Sequence, residues 1–351
     1  MRIESIRTLA LARTHWEALE LMAGSVFSSW EWAAAWWAMF GVGKQLELRS
    51  VYDGDRLVAI LPLYRTRYGG VPVLRLLGHG AADELGPICD RADLPLAIDA
   101  LHAVATDALP AHGFMVVDRL RDHGHLAKET LGSTIRIEAS PTLPREGRSY
   151  DDWLAGRSAN FRQQIRRRTK RLVRDHGLTF RRTTDPLQLE DDLDTLVALY
   201  HARWAEVHTT AFERSREAYH RAFARRALER GWLRLWIAEA DGRPVAAWYG
   251  FCFAGDTWYY QAGRDPAWDR FAVGTVLLVH TIRSAFDDDH VNAYRFGVGD
   301  ESYKARFGAH DPTLLTMAIG HQIPVGVSAA AVRAVTRVPP RLRRFVTQRL
   351  A

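Results

Sequence analysis

Residues 259–308 read YYQAGRDPAWDRFAVGTVLLVHTIRSAFDDDHVNAYRFGVGDESYKARFG, and the fold turns on this stretch. Alternating aromatics end a strand at about Gly263, and a polar loop with Arg264 and Arg270 follows. Apolar residues at helical spacing then run from Gly274 to about Phe286, and a second strand, AYRFGVG, follows them. A helix N-terminus fed by a basic loop suits an anion, because its first N–H groups lack partners and its dipole is positive there. Ala272, Val273, Gly274 and Thr275 are the backbone candidates, with Arg264 and Arg270 as the charges. An ordinary strand–helix loop with solvated arginines is the competing reading.

Asp300, Glu301, Tyr303 and Lys304 lie just past the second strand, at the edge where open α/β sheets bind ligands. Glu301 or Asp300 suits a proton acceptor, and Tyr303 or Lys304 a proton donor or acyl contact. In the plainer alternative Asp300 caps a short helix, Glu301 complements its dipole and Lys304 pairs with Glu301.

Working outward, strands WLRLWIAEA and PVAAWYGFCFA precede this segment, joined by Asp241-Gly242, a hairpin signal. Tyr260 and Trp248 can line a pocket, although most such aromatics belong to cores. Upstream lie helices expected at 160–175, 186–207 and 216–230; Arg203 and Trp204, near the end of the middle one, can face an acceptor. The first of these helices carries RQQIRRRTKRLVR, Arg162 to Arg174, with no acidic residue. Phe161, Ile165, Leu172 and Val173 can share its buried face, leaving a cationic stripe for solvent or an anionic partner.

The first half shows a similar order. Helices are expected from a Thr14 cap to Met22 and across WEWAAAWWAMF (30–40). A hairpin at Asp53-Gly54 and further strands and a helix follow. SPTLPREG, 140–147, reads as a linker. The expectation is therefore α/β: tandem domains at 1–145 and 146–325, each with a mixed, mostly antiparallel sheet flanked by helices. An Arg-rich tail completes the chain at 326–351.

With 351 residues, 47% of them hydrophobic, and twelve Trp, the chain is folded and large enough for two cores. A net charge of +6 favours anionic partners without choosing among them. The two cysteines have no metal-type spacing, so no metal is expected. No apolar stretch is long enough to span a membrane and no signal-peptide pattern is present, so the expected location is cytoplasmic.

NFRQQIRRRTKRL, YYQAGRDPAWDRFAVGTVLL and FGVGDESYKARFG together resemble the GNAT acyltransferase superfamily across about residues 150–320. The nearest branch holds the FemAB-like and bacterial cellulose-biosynthesis-associated (CelD/BcsL-like) proteins. The resemblance implies an N-acyltransferase with a thioester donor, acyl-CoA or an acidic acyl carrier protein. The acceptor would be an amine of a small metabolite, amino sugar or peptide. It also admits an aminoacyl-tRNA donor, as in Fem-like transferases, and a catalytically idle module that kept the fold. The superfamily donor loop reads Gln/Arg-x-x-Gly-x-Gly/Ala; placed on Gly274, this chain has Asp269 first and Ala272 in the middle.

Overall fold

The computed structural model describes residues 1–68, 70–121, 133–204, 211–212, 214–308 and 313–320. The Arg-rich tail at 326–351 lies outside them. The chain divides into two compact units: 1–140 with 298–301 and 311–351, and 141–297 with 302–310.

Unit 1 begins with β1 (Arg2–Ile6), α1 (Leu9–Ala23), α2 (Trp30–Phe40), β2 (Gln45–Leu46), β3 (Leu48–Asp53) and β4 (Arg56–Leu61). It continues through β5 (Leu63–Tyr68), β6 (Val71–Leu76), β7 (Ile88–Cys89), α3 (Leu94–Ala108), β8 (Phe114–Arg121) and β9 (Ser133–Ala139). Helix α1 starts earlier than the Thr14 cap suggested, because the Thr8 side chain accepts from the Leu11 N–H and caps a full turn sooner. Strand β1, with three of its five residues exposed, is an edge strand whose weak apolar signal gave no warning of it. At Pro62 the β4–β5 run breaks between two sheets, β4 pairing with β3 and β7 and β5 with β2 and β6. Strands β6 and β8 are parallel, with α3 as the crossover between them.

Unit 2 holds β10 (Thr142–Pro144), α4 (Tyr150–Ala155), α5 (Ala159–His176), β11 (Thr179–Arg182), α6 (Leu189–Arg203) and α7 (Arg214–Glu229). Next come β12 (Leu233–Ala240), β13 (Arg243–Phe253), β14 (Asp256–Arg264), α8 (Val273–Phe286), β15 (Ala293–Arg295) and α9 (Ser302–Arg306). Its sheet runs β10-β15-β14-β13-β12-β11, antiparallel except for the β14–β15 pair. Residues 140–147 are not a plain linker. Thr142–Pro144 pairs with β15 because Leu143, 1% exposed, has a core to fill. Trp248 and the apolar faces of α5 and α8 pack on one side of the sheet. On the other side Phe212, His220, Tyr249 and Tyr260 form a second aromatic layer.

The last strand, β16 (Thr313–Ile319), falls within the 146–325 span expected for the second domain but does not join the unit 2 sheet. It inserts instead between β8 and β9 of unit 1, antiparallel to both, giving the sheet order β2-β5-β6-β8-β16-β9. Its buried residues satisfy either sheet equally well by sequence; only the free ladder edges of β8 and β9 decide the partner.

Within unit 2, α6 crosses β14 at Gly263. A Cβ there would lie 2.3 Å from the Tyr200 nitrogen and 2.4 Å from the Leu199 carbonyl carbon, backbone atoms that cannot swing aside. Gly263→Ala is therefore expected to destabilise unit 2 by about 2 kcal/mol, measurable as a lower urea midpoint. An unchanged midpoint would show that α6 can shift freely.

Candidate active site at the parting of two parallel strands

Strands β14 and β15 pair over Asp256–Trp258 and Ala293–Arg295 and then separate. Beyond Trp258 no described strand covers that edge of β14, because Phe296 turns its N–H to Pro141 instead. On its other edge β14 carries a bulge. Gln261 faces Tyr249 and Tyr259 faces Gly250, so Tyr260 is the extra residue. A Cβ on Gly250 would sit 2.1 Å from the Trp258 carbonyl oxygen, which is why only glycine fits beside the bulge. The result is a wedge between two carboxyl-terminal strand ends, one side of which is an edge of β14 that no described strand covers.

Helix α8 starts beside this wedge. Ala272, at φ 54°, turns the chain into the helix from a short 3-10 segment, Pro266–Phe271, and has no side chain with which to cap it. The first N–H groups of α8, at Val273, Gly274 and Thr275, point out of the helix start, where an anion is favoured; Thr275 N–H also reaches back to the Ala272 carbonyl. Val273 is buried, while Gly274 and Thr275 are half-buried. Gly274 lies against the Arg264 side chain: a Cβ there would make an ordinary 3.4 Å contact with its Cδ.

The cations around this start are differently placed than the text suggested. Arg264 is held by Asp269 through two hydrogen bonds, Nε to Oδ1 at 2.5 Å and Nη2 to Oδ2 at 3.1 Å. Asp269, one of the two residues that depart from the donor-loop pattern, thus neutralises Arg264. Arg270 is exposed with its guanidinium 4.7 Å from the Phe271 ring, and Arg171 of α5 approaches the same ring at 5.1 Å. Arg171 comes to the helix start by tertiary packing. In the sequence it was one member of the α5 basic run, with nothing to single it out.

Lys304 is 2% exposed and its Nζ donates to the Gly297 carbonyl at 3.2 Å, directly beyond β15. Tyr303 is half-buried against Phe307, ring centroids 6.3 Å apart. Asp300 is exposed and Glu301 half-buried, both in the 298–301 segment assigned to unit 1; a Cβ on Gly299 would meet Glu301 Oε2 at 2.5 Å. Trp248 and Tyr260 are core residues, 1% and 9% exposed. Trp248 stacks on Tyr259, and the Tyr260 hydroxyl lies 3.5 Å from His220 Nε2. Burial pushes the His220 imidazole down to about 3, so this contact joins neutral groups near neutral pH. Arg203 donates from Nη1 to the Ala262 carbonyl at 3.2 Å and lies over the Trp204 ring at 4.8 Å, bracing α6 against the end of β14.

Among the described residues no helix is long and apolar enough to cross a membrane, and no group of three or more His, Cys, Asp or Glu is placed to hold a metal.

No curated protein sequence matches the chain. Several solved structures share its fold at low identity. FemX has 11% identity and a TM-score of 0.61, with 90% of this chain and 97% of that chain covered. The C-terminal domain of a protein assigned as a lysylphosphatidylglycerol synthetase from Agrobacterium fabrum has 13% identity and a TM-score of 0.58, with 93% and 97% covered. L-PGS from Bacillus licheniformis has 13% identity and a TM-score of 0.55, with 82% and 88% covered. The wedge, α8 and the cationic helix α5 all fall within residues 159–305, and it is this segment of an α/β chain with mixed sheets that matches the acetyltransferase (GNAT) domain family.

Proposed function

We propose that the protein is an N-acyltransferase that moves an acyl group from a thioester donor to an amine. The observation that carries this reading is the parting of β14 and β15 beside the uncapped start of α8. The donor's phosphate group would meet the first N–H groups of α8, with Arg270 and Arg171 as counter-charges. Its acyl arm would run along the free edge of β14. The amine lone pair adds to the thioester carbonyl, and the oxyanion collapses to the amide with loss of thiolate. Lys304, at the end of β15, would stabilise that oxyanion or protonate the thiolate, with Tyr303 as the neighbouring donor. Glu301 or Asp300 would accept the amine proton. The acceptor would be a small metabolite, amino sugar or peptide.

Because Asp269 engages Arg264 through two hydrogen bonds and Asp175 lies 3.7 Å from Arg171, acyl-CoA is expected to rely on Arg270 first and on Arg171 second. Initial rates with acetyl-CoA and a small amine panel test this directly. The double variant R171Q/R270Q should raise the donor KM about tenfold with kcat within twofold, the signature of lost ground-state binding. Asp269→Ala, which releases Arg264, should lower KM by about threefold. Neither acetyl-CoA nor longer acyl-CoAs turning over would sink the CoA form of the proposal; trials with a loaded carrier protein would then decide the thioester class.

A second reading, an aminoacyl-tRNA donor, is favoured by α5. Phe161, Ile165 and Leu172 bury one side of that helix, and Arg166, Arg167 and Lys170 are exposed on it, with no carboxylate in ion-pair reach among the described residues. tRNA binding that weakens steeply with salt would support it. Turnover that is unaltered by ribonuclease would exclude it.

A further inference from the structure

Unit 2 has a second cleft, of about 770 Å³, at the opposite end of α8 from the wedge. With 14 residues in the helix, its two ends lie roughly 20 Å apart. The floor is one face of the sheet: Arg182 from β11, Arg234 and Trp236 from β12, and Cys252 from β13. The register makes them neighbours. Arg182 sits opposite Trp236 on the antiparallel ladder, and Arg234, two residues before Trp236, points to the same side. The roof is the last turns of α8, with His280 and Arg283, and the loop that follows.

An aromatic corner forms the back wall. His280 stacks on Phe180 at 4.0 Å and meets the Trp236 ring edge-on at 4.7 Å. Burial, then Arg283, pushes the His280 imidazole down to about 4, so it is neutral near pH 7 and adds no charge.

The charges around this corner cancel only in part. Asp289 pairs with Arg145 at 2.6 Å, and Asp287 lies 3.6 Å from Arg283. Asp288 Oδ1 accepts the His290 N–H and closes the loop. Arg182 and Arg234 remain; among the described residues neither has a carboxylate within ion-pair distance. Arg234 spends Nη1 on the Gly231 and Leu233 carbonyls, and Arg182 lies 5.9 Å from the Trp236 ring centroid. Burial first, then the nearby Arg234, lowers the proton affinity of Arg182, with Asp288 acting in the opposite sense. The guanidiniums of the exposed Arg182 and the half-buried Arg234 thus stand at the mouth of one aromatic-walled cleft, offset in part by Asp288. An oxyanion between them removes the repulsion and gains charge-assisted hydrogen bonds from both.

We propose that this cleft binds a small aromatic oxyanion, a phosphate or carboxylate on a planar ring, whose charged end bridges Arg182 and Arg234 while its ring lies in the Trp236–His280 corner. The site is separate from the wedge and does not depend on the acyltransfer reading.

Calorimetric titration of the full chain at low salt tests it, with phenyl phosphate and benzoate as aromatic anions, inorganic phosphate as the bare anion and benzyl alcohol as the neutral ring. One-site binding of at least one aromatic anion is expected, and the two arms distinguish phosphate from carboxylate. R182Q/R234Q should weaken that binding at least thirtyfold, with R182Q alone as the milder variant should the pair fold poorly. Trp236→Leu should weaken the aromatic anion at least fivefold and leave inorganic phosphate unchanged. Arg56→Gln, an exposed arginine of unit 1 that pairs with Asp93, should leave the titration unchanged. The proposal is overturned if neither aromatic anion binds, if R182Q/R234Q binds like the wild type, or if benzyl alcohol binds as tightly as the anions.

Discussion

Lys304→Ala is expected to lower kcat about a hundredfold while the donor KM stays within threefold. The side chain is 2% exposed, on a helix of only five residues, Ser302–Arg306. Burying an ammonium is unfavourable unless hydrogen bonds hold it, and here the Gly297 carbonyl accepts from Nζ at 3.2 Å. That bond fixes the ammonium at the carboxyl end of β15, where the strand has parted from β14. A preformed cation there acts on charge that exists only in the transition state, so its removal shows in turnover and not in donor binding. Steady-state rates with the best thioester donor supply the test. Lys304→Met keeps the volume and removes the charge, so it should match Lys304→Ala in kcat and exceed it in melting temperature. Full turnover in both variants would remove Lys304 from the chemistry. Glu301→Gln, measured alongside, separates the proposed proton acceptor: its deficit should shrink as pH rises and more amine is already deprotonated.

Trp153→Ala should destabilise unit 2 by about 4 kcal/mol. Trp153 is fully buried, and its Nε1 donates to the Phe307 carbonyl at 3.0 Å. Its ring lies nearly parallel to that of Phe307, centroids 6.3 Å apart, and meets Phe161 of α5 edge-on and Phe286 at the end of α8. One side chain therefore joins α4, α5, α8 and the residue that follows α9. Its removal leaves a cavity walled by rings that cannot collapse together, and it frees the Phe307 carbonyl. Urea unfolding should show a lower midpoint with little change in slope, and the loss should exceed that of Gly263→Ala. Activity should fall as well, since Phe307 sits three residues from Lys304. A loss below about 1 kcal/mol would mean that the aromatic cluster repacks.

The sequence by itself determined the local elements and their order. Periodicity placed α5 at 160–175, within a residue of its observed ends at each side, and α8 within a residue of its observed start. Asp53-Gly54 and Asp241-Gly242 marked their hairpins, because turn chemistry is local.

Tertiary structure decided the rest, and each case has a non-local cause. Strand β16 carries no mark of its partner, since ladder bonds are made by backbone that every residue has; the free edges of β8 and β9 chose it. A short run with two prolines became β10 because β15 needed a neighbour and Leu143 a core. Arg264 looked like a donor contact in the text, but Asp269, five residues on, captured it once the 3-10 turn folded. Arg171, Lys304, and the facing pair Arg182 and Arg234 took their places from packing between elements distant in the chain. Local propensity and periodicity fix what each segment is; long-range pairing and burial fix which charges are neutralised, and that remainder is what a site can use.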